Sequence, residues 1–155
     1  MKRYIVVDKP AAWTLGGHDA EVISVSDYLT NRYARGGRRV RVFNLSASFR
    51  YQSRGYYASL LAEARGHKVI PSVKTIQEIN ARNIVRVLPT DVDDLIQSSL
   101  RRIRSDEFTL TVYFGENMAA QHARLATALY QLFQAPLLRF RFRKGPEHWT
   151  IRGVR

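Results

Sequence analysis

Between Val40 and Ile70 the hydrophobic period of the chain changes from two residues to about 3.6 and back, and this switch constrains the fold more than any other feature. Val40 and Val42 alternate with Arg39 and Arg41, which predicts a strand. Ser53 is placed to cap a helix whose inward stripe reads Tyr57, Leu60, Leu61 and Ala64, and Gly66 supplies a left-handed stop. Lys68 to Ile70 predicts a second strand. In such a unit the loop and the helix N-terminus lie at the carboxyl end of the first strand, where open α/β sheets bind ligands.

The flanking sequence extends this pattern. Tyr4 to Val7 predicts an opening strand, Ala12 to Ser26 a loop-rich excursion, and Asp27 to Arg35 a short helix ended by Gly36-Gly37. Thr75 to Ala81 predicts a further helical piece and Ile84 to Leu88 a strand. Thr90 or Asp91 then caps a helix carrying Val92, Leu95, Ile96, Leu100 and Ile103 on one side. Phe108, Leu110, Val112 and Phe114 mark a half-buried strand. A helix from Met118 to Phe133 is expected to bury Met118, His122, Leu125, Leu129 and Phe133, with Pro136 as its stop. Leu138, Phe140 and Phe142 alternate with Arg139, Arg141 and Arg143, and Gly145-Pro146 turns the chain into His148 to Val154. The expected class is α/β to α+β: a single compact domain over 1–155, with a mixed β-sheet flanked by helices and a C-terminal β-hairpin.

Composition supports one core. At 155 residues and 45% hydrophobic content the chain needs no disulfide or metal staple. The absence of cysteine excludes a disulfide framework and thiol chemistry. The apolar run Tyr4 to Val7 is too short for a signal peptide and is closed by Asp8, and no segment has membrane-spanning length. A soluble cytoplasmic protein without a membrane partner is expected. The net charge of +12 comes from 25 Lys+Arg against 13 Asp+Glu, with arginine-rich runs at 38–41, 101–104 and 139–144. These runs read either as solvated faces or as a surface for a polyanion or RNA.

Most chemistry motifs are absent. Neither glycine-rich phosphate loop occurs, and His18, His67, His122 and His148 lack metal-ligand spacing. His122, on an apolar stripe, reads as a hydrogen-bonded core residue, while His67 reads as a helix cap or a functional group. Asp91, Asp93 and Asp94 fit capping and dipole compensation better than metal binding. The loop Ser46 to Tyr57 is richer in polar groups than capping requires. Arg50 and Ser53, then Tyr51 and Tyr56, with Arg54 and Asn44, form a candidate substrate or anion site beside a helix N-terminus. The alternative is structural, with Ser53 only capping and the arginines bonded to the backbone. Arg139, Arg141 and Arg143 form a candidate basic surface, and no catalytic or metal-binding residue is assigned.

The block Arg50-Tyr51-Gln52-Ser53-x-Gly55-Tyr56-Tyr57-x-Ser59-Leu60-Leu61-Ala62-Glu63-Ala64-x-Gly66-His67 resembles the signature of the N-terminal domain of RimK-like ATP-grasp ligases. The similarity extends through Tyr4 to Asp8, Tyr113-Phe114-Gly115, Pro136 to Arg139 and Trp149-x-Ile151. It implies an accessory domain, not catalytic on its own, of an ATP-dependent carboxylate-amine ligase of amino-acid, glutamate or peptide type. The implied partners are the ATP-grasp domain of the same polypeptide and an acidic or amino-acid-like substrate. No ATP-grasp elements follow within these residues, so a fragment or an isolated module is expected. No cofactor is expected in this chain, and ATP and Mg are implied for the missing catalytic domain. The rival class is a basic RNA-binding or ribosome-associated module. Against it, the aromatic pattern of RNA-recognition sheets is absent and Phe140 and Phe142 face inward if the alternation holds.

Overall fold

The computed structural model describes residues 1–14, 16, 19–30, 33, 39–81 and 88–155. The chain forms two compact units, Met1–Ile76 and Gln77–Arg155. The expected α/β to α+β class is present, with parallel and antiparallel strands held in separate sheets rather than joined in one mixed sheet. Strands linked by hairpin-type antiparallel pairing complete a ladder among themselves and leave the parallel strands to their own sheet.

In the first unit β1 (Lys2–Val7), β2 (Glu21–Ser24), β3 (Val40–Asn44) and β4 (Lys68–Ile70) form a parallel sheet in the order β2-β1-β3-β4. β2 lies inside the segment expected to be loop. Two helices cross over, α1 (Val25–Leu29) and α2 (Arg54–Ala64). α1 starts earlier than predicted because Ser24 caps it, accepting the Asp27 N–H at 3.0 Å. The remainder of the helix predicted to Arg35, with Gly36-Gly37, lies outside the described residues apart from Thr30 and Tyr33. Tyr4, Val6, Ile23, Val40 and Val42 make one apolar cluster with Val25 and Tyr28 of α1 and Ala58 and Ala62 of α2.

The predicted inward stripe of α2 is corrected by the structure. Gly55, Ala58, Ser59 and Ala62 are buried, whereas Tyr57 and Leu60 are 41% and 39% exposed and Ala64 is exposed. The helix lies too close to its surroundings for large side chains: a Cβ on Gly55 would meet the Ser48 carbonyl oxygen and come within 2.7 Å of Ser46 Cβ. Gly66 ends the helix region at φ 72°, as predicted, and the His67 N–H bonds to the Ala62 carbonyl. α3 (Val73–Asn80) follows, where a helical piece was expected.

In the second unit β5 (Glu107–Tyr113), β6 (Leu137–Lys144) and β7 (Trp149–Val154) form an antiparallel sheet in that order. Its inner face carries Leu110, Val112, Leu138, Phe140, Phe142, Trp149 and Ile151. These pack with Val92, Ile96 and Leu100 of α4 (Thr90–Leu100) and Leu125, Ala126 and Leu129 of α5 (Ala123–Leu132). The side-chain amide of Gln97 accepts the Trp149 N–H and donates to the Trp149 carbonyl, both at 2.8 Å, docking α4 on β7 as a short substitute strand.

Three expectations change in this unit. The α4 cap position is Pro89, not Thr90 or Asp91, and the Val92 and Asp93 N–H groups bond to its carbonyl. Met118 is 92% exposed, because Asn117 holds a turn there: its amide donates to the Thr111 carbonyl and its side-chain oxygen accepts the Ala119 N–H. α5 therefore begins only at Ala123, after a 3-10 turn over Ala120–His122. The strand predicted at Ile84 to Leu88 falls, apart from Leu88, outside the described residues.

Each unit buries a histidine. His122 Nδ1 lies 2.8 Å from the Ser99 hydroxyl, as expected of a core histidine. His67 Nδ1 lies 2.8 Å from the Tyr28 hydroxyl, and its Nε2 is buried without a partner. Burial pushes the Tyr28 phenol up to about 12, outweighing the lowering effect of Arg65. It also holds both imidazoles below the ordinary histidine range, with Arg65 adding to the effect at His67.

Two stability results follow from these cores. Trp149 is 4% exposed, so Trp149→Ala should cost about 3 to 5 kcal/mol in urea denaturation; a loss below about 1 kcal/mol would contradict the burial. Because the folded histidines resist protonation, the unfolded chain takes up protons first as pH falls through about 6.5. Stability should be full above that value and decline below it, by at most about 1.4 kcal/mol per pH unit for each histidine. His122→Gln should flatten part of the decline between about pH 6.5 and 5, and an unchanged slope would remove His122 as a cause.

Candidate functional site

The strand order β2-β1-β3-β4 reverses direction at β1, so the carboxyl ends of β1 and β3 form a topological switch point. Asp8 follows β1 there, and the loop 45–53 follows β3. The Leu45 N–H still pairs with the Val6 carbonyl at 2.8 Å, and the exposed Asp8 carboxylate then accepts the Ala47 N–H at 2.6 Å. Apart from its place after a four-residue apolar run, Asp8 carries no sequence signal of this position.

Asn44 closes the base of the loop. It is 1% exposed, and its amide donates to the Gly55 carbonyl at 2.8 Å and the Ser59 hydroxyl at 3.0 Å. Its oxygen accepts the Ser46 hydroxyl at 2.7 Å and the Ser46 N–H at 3.2 Å. Both donors and both lone pairs are thereby used. Ser59 passes its own proton to the Pro71 carbonyl at 2.8 Å.

Ser53 is the α2 cap, as the sequence predicts. Its hydroxyl accepts the Tyr56 N–H at 3.2 Å and donates to the Ser48 carbonyl at 2.9 Å. Gln52, just before it, has φ 63°. Arg50 is exposed, and its guanidinium makes no hydrogen bond or ion pair among the described residues. Arg54 donates to the Ser26 hydroxyl at 3.4 Å. Tyr51 is 75% exposed and meets Tyr56 edge-on at 5.4 Å, and Tyr56 meets Tyr57 in the same manner at 5.8 Å. The loop therefore presents one free guanidinium and a run of tyrosines above a hydrogen-bonded base. Such a surface can hold a carboxylate or phosphate by charge and an apolar body by ring contact.

Arg139, Arg141 and Arg143 lie elsewhere, exposed along the outer face of β6 and opposite Thr111, Thr109 and Glu107 of β5. Among the described residues no group of three or more His, Cys, Asp or Glu side chains could hold a metal ion, and no helix is long and apolar enough to cross a membrane. No curated protein matches the chain. The model of the RimK-like ATP-grasp N-terminal domain matches residues 25–155, which include β3, the loop, α2 and all of the second unit. An accessory module of an ATP-grasp ligase is what such membership implies, and on this match the chain belongs to the RimK-like ATP-grasp N-terminal domain family.

Proposed function

We propose that the chain positions an acidic or amino-acid-like substrate, or docks the ATP-grasp domain of the same polypeptide, within an ATP-dependent carboxylate-amine ligase. The observation that carries this reading is the Arg50 guanidinium, unpaired among the described residues, in the switch-point loop of a chain of this family. Asp8 adds the opposite charge to that end of the sheet, which suits a zwitterionic, amino-acid-like ligand better than a simple polyanion. Arg50, Tyr51 and Tyr56 are the ligand-facing groups, while Ser53, Asn44 and Arg54 hold the loop.

In this reading ATP and magnesium are held outside this chain. The sequence has neither glycine-rich phosphate loop, and the described carboxylates do not gather into a metal site. In this reading both belong to the ATP-grasp domain, where the carboxylate is activated and passed to an amine. The purified 155-residue chain should accordingly show no ATP turnover above buffer in a phosphate-release assay, and turnover that tracks with the protein through successive columns would overturn the accessory role.

At the loop, one charge-assisted contact and a helix terminus together contribute about 2 to 4 kcal/mol, so glutamate should bind no more tightly than millimolar. Glutamate titration should move the backbone amide resonances of Arg50 to Tyr57. Arg50→Ala should abolish those shifts with little change in melting temperature. Should Arg50→Ala simply unfold the chain, or leave the shifts intact, the loop is structural.

A further inference from the structure

The outer face of the β5-β6-β7 sheet is built differently from an ordinary solvated surface. A β-bulge interrupts the β6-β7 ladder: Phe140 pairs with Val154, Arg141 with Gly153 and Phe142 with Ile151, which leaves Arg152 as the extra residue of β7. Phe140, Phe142, Ile151 and Val154 all pack on the core, and the extra residue therefore puts Arg152 and Gly153 together on the outer side. Gly153 has no side chain, and the Arg141 guanidinium occupies that space, with Nη2 3.2 Å from where a Cβ would stand. The result is an open groove of about 370 Å³ lined by Arg141, Arg143, Arg152, Thr109 and Glu107, with Phe108 and Phe142. None of the three arginines forms an ion pair among the described residues, and Glu107 is the lone carboxylate in the lining.

We infer that this face binds single-stranded nucleic acid through its phosphate backbone. Arg139, Arg141 and Arg143 recur at every second residue of β6, so they step by about 7 Å along the strand, close to the separation of successive phosphates in an extended single strand. Arg152 widens the row beside Arg141, and the Thr109 and Thr111 hydroxyls lie opposite Arg141 and Arg139. Alternate carboxylates of an extended acidic peptide would fit the same step. The far end of the face decides between them, because Tyr113, 46% exposed, continues the row opposite Leu137 and offers a flat ring on which a base stacks. A peptide of acidic residues alone has no counterpart for that ring.

The test is fluorescence anisotropy of a labelled oligouridylate of about 12 nucleotides against the 155-residue chain over a range of salt. The combined variant Arg141→Gln, Arg143→Gln and Arg152→Gln should bind about tenfold or more weakly, with the slope of log affinity against log salt reduced by about 2, or about 0.7 for each lost phosphate contact. The same change of charge at Arg101, Arg102 and Arg104 should leave affinity within about twofold. Tyr113→Ala should weaken binding while keeping the salt slope, since stacking releases no counterion. Should the combined variant fail to fold by circular dichroism, Arg152→Gln alone must lower the slope by about 0.7. Equal losses in the two arginine triples would sink the proposal. So would a labelled poly-aspartate of similar length that binds as tightly as the oligouridylate, with neither ligand responding to Tyr113→Ala.

Discussion

The first unit depends on the Asn44 side chain. Strand β3 must end, hand the chain to a loop, and receive α2 back across its edge, which leaves a serine hydroxyl and a helix carbonyl buried together. Asn44 satisfies both with its amide and holds Ser46 with its oxygen. Through Ser59 the same network reaches the Pro71 carbonyl after β4. A buried amide with every donor and acceptor used is rigid, because any shift leaves a polar atom unpaired at a cost of about 1 to 3 kcal/mol. The closeness of α2 follows from this: hydrogen bonds near 3 Å from Asn44 to Gly55 and Ser59 leave room for glycine, alanine and serine only. Tyr57 and Leu60 are consequently turned toward solvent, with Tyr56 and Leu61 half-buried.

The second unit solves its packing by other means. Its aromatic residues interlock at ring separations of 6.1 to 6.4 Å, and one glutamine ties a helix to the outer strand. Here the polar contact adds to a core already made by apolar side chains, whereas in the first unit the polar contact sets the geometry of the core. The two units therefore respond differently to substitution. Large-to-small changes are most damaging in the second, and small-to-large changes in the first.

How much of this was legible from sequence depends on whether the determining contact is local. The β6 alternation was readable because each residue's neighbours on its own strand reveal its face, and the Ser53 cap and Gly66 stop because both act within one helix turn. The α2 face was misread because hydrophobicity points to Tyr57, Leu60 and Leu61, while the buried side is chosen by Asn44, eleven or more positions away. β2 was missed because four residues, Glu21 to Ser24, carry too little pattern and become a strand only by pairing with β1. Division of the strands into two sheets is likewise a matter of pairing, which no single strand encodes. At the candidate site, Arg50 and the tyrosines were visible as polar excess, but Asp8 joins them only because β1 and β3 are neighbours.

The bulge in β7 also bears on how this strand can vary in length. A strand with strict alternation has its two faces locked in phase, so a residue gained or lost exposes everything beyond it. With Arg152 and Gly153 both turned outward, β7 carries one residue that belongs to neither alternation. Deleting either would remove the bulge, restore strict alternation after Ile151, and leave Val154 opposite Phe140 and facing the core. The stretch 151–154 is thus a place where the strand can lose one residue and keep its core face, giving up only the outward pair of Arg152 and Gly153.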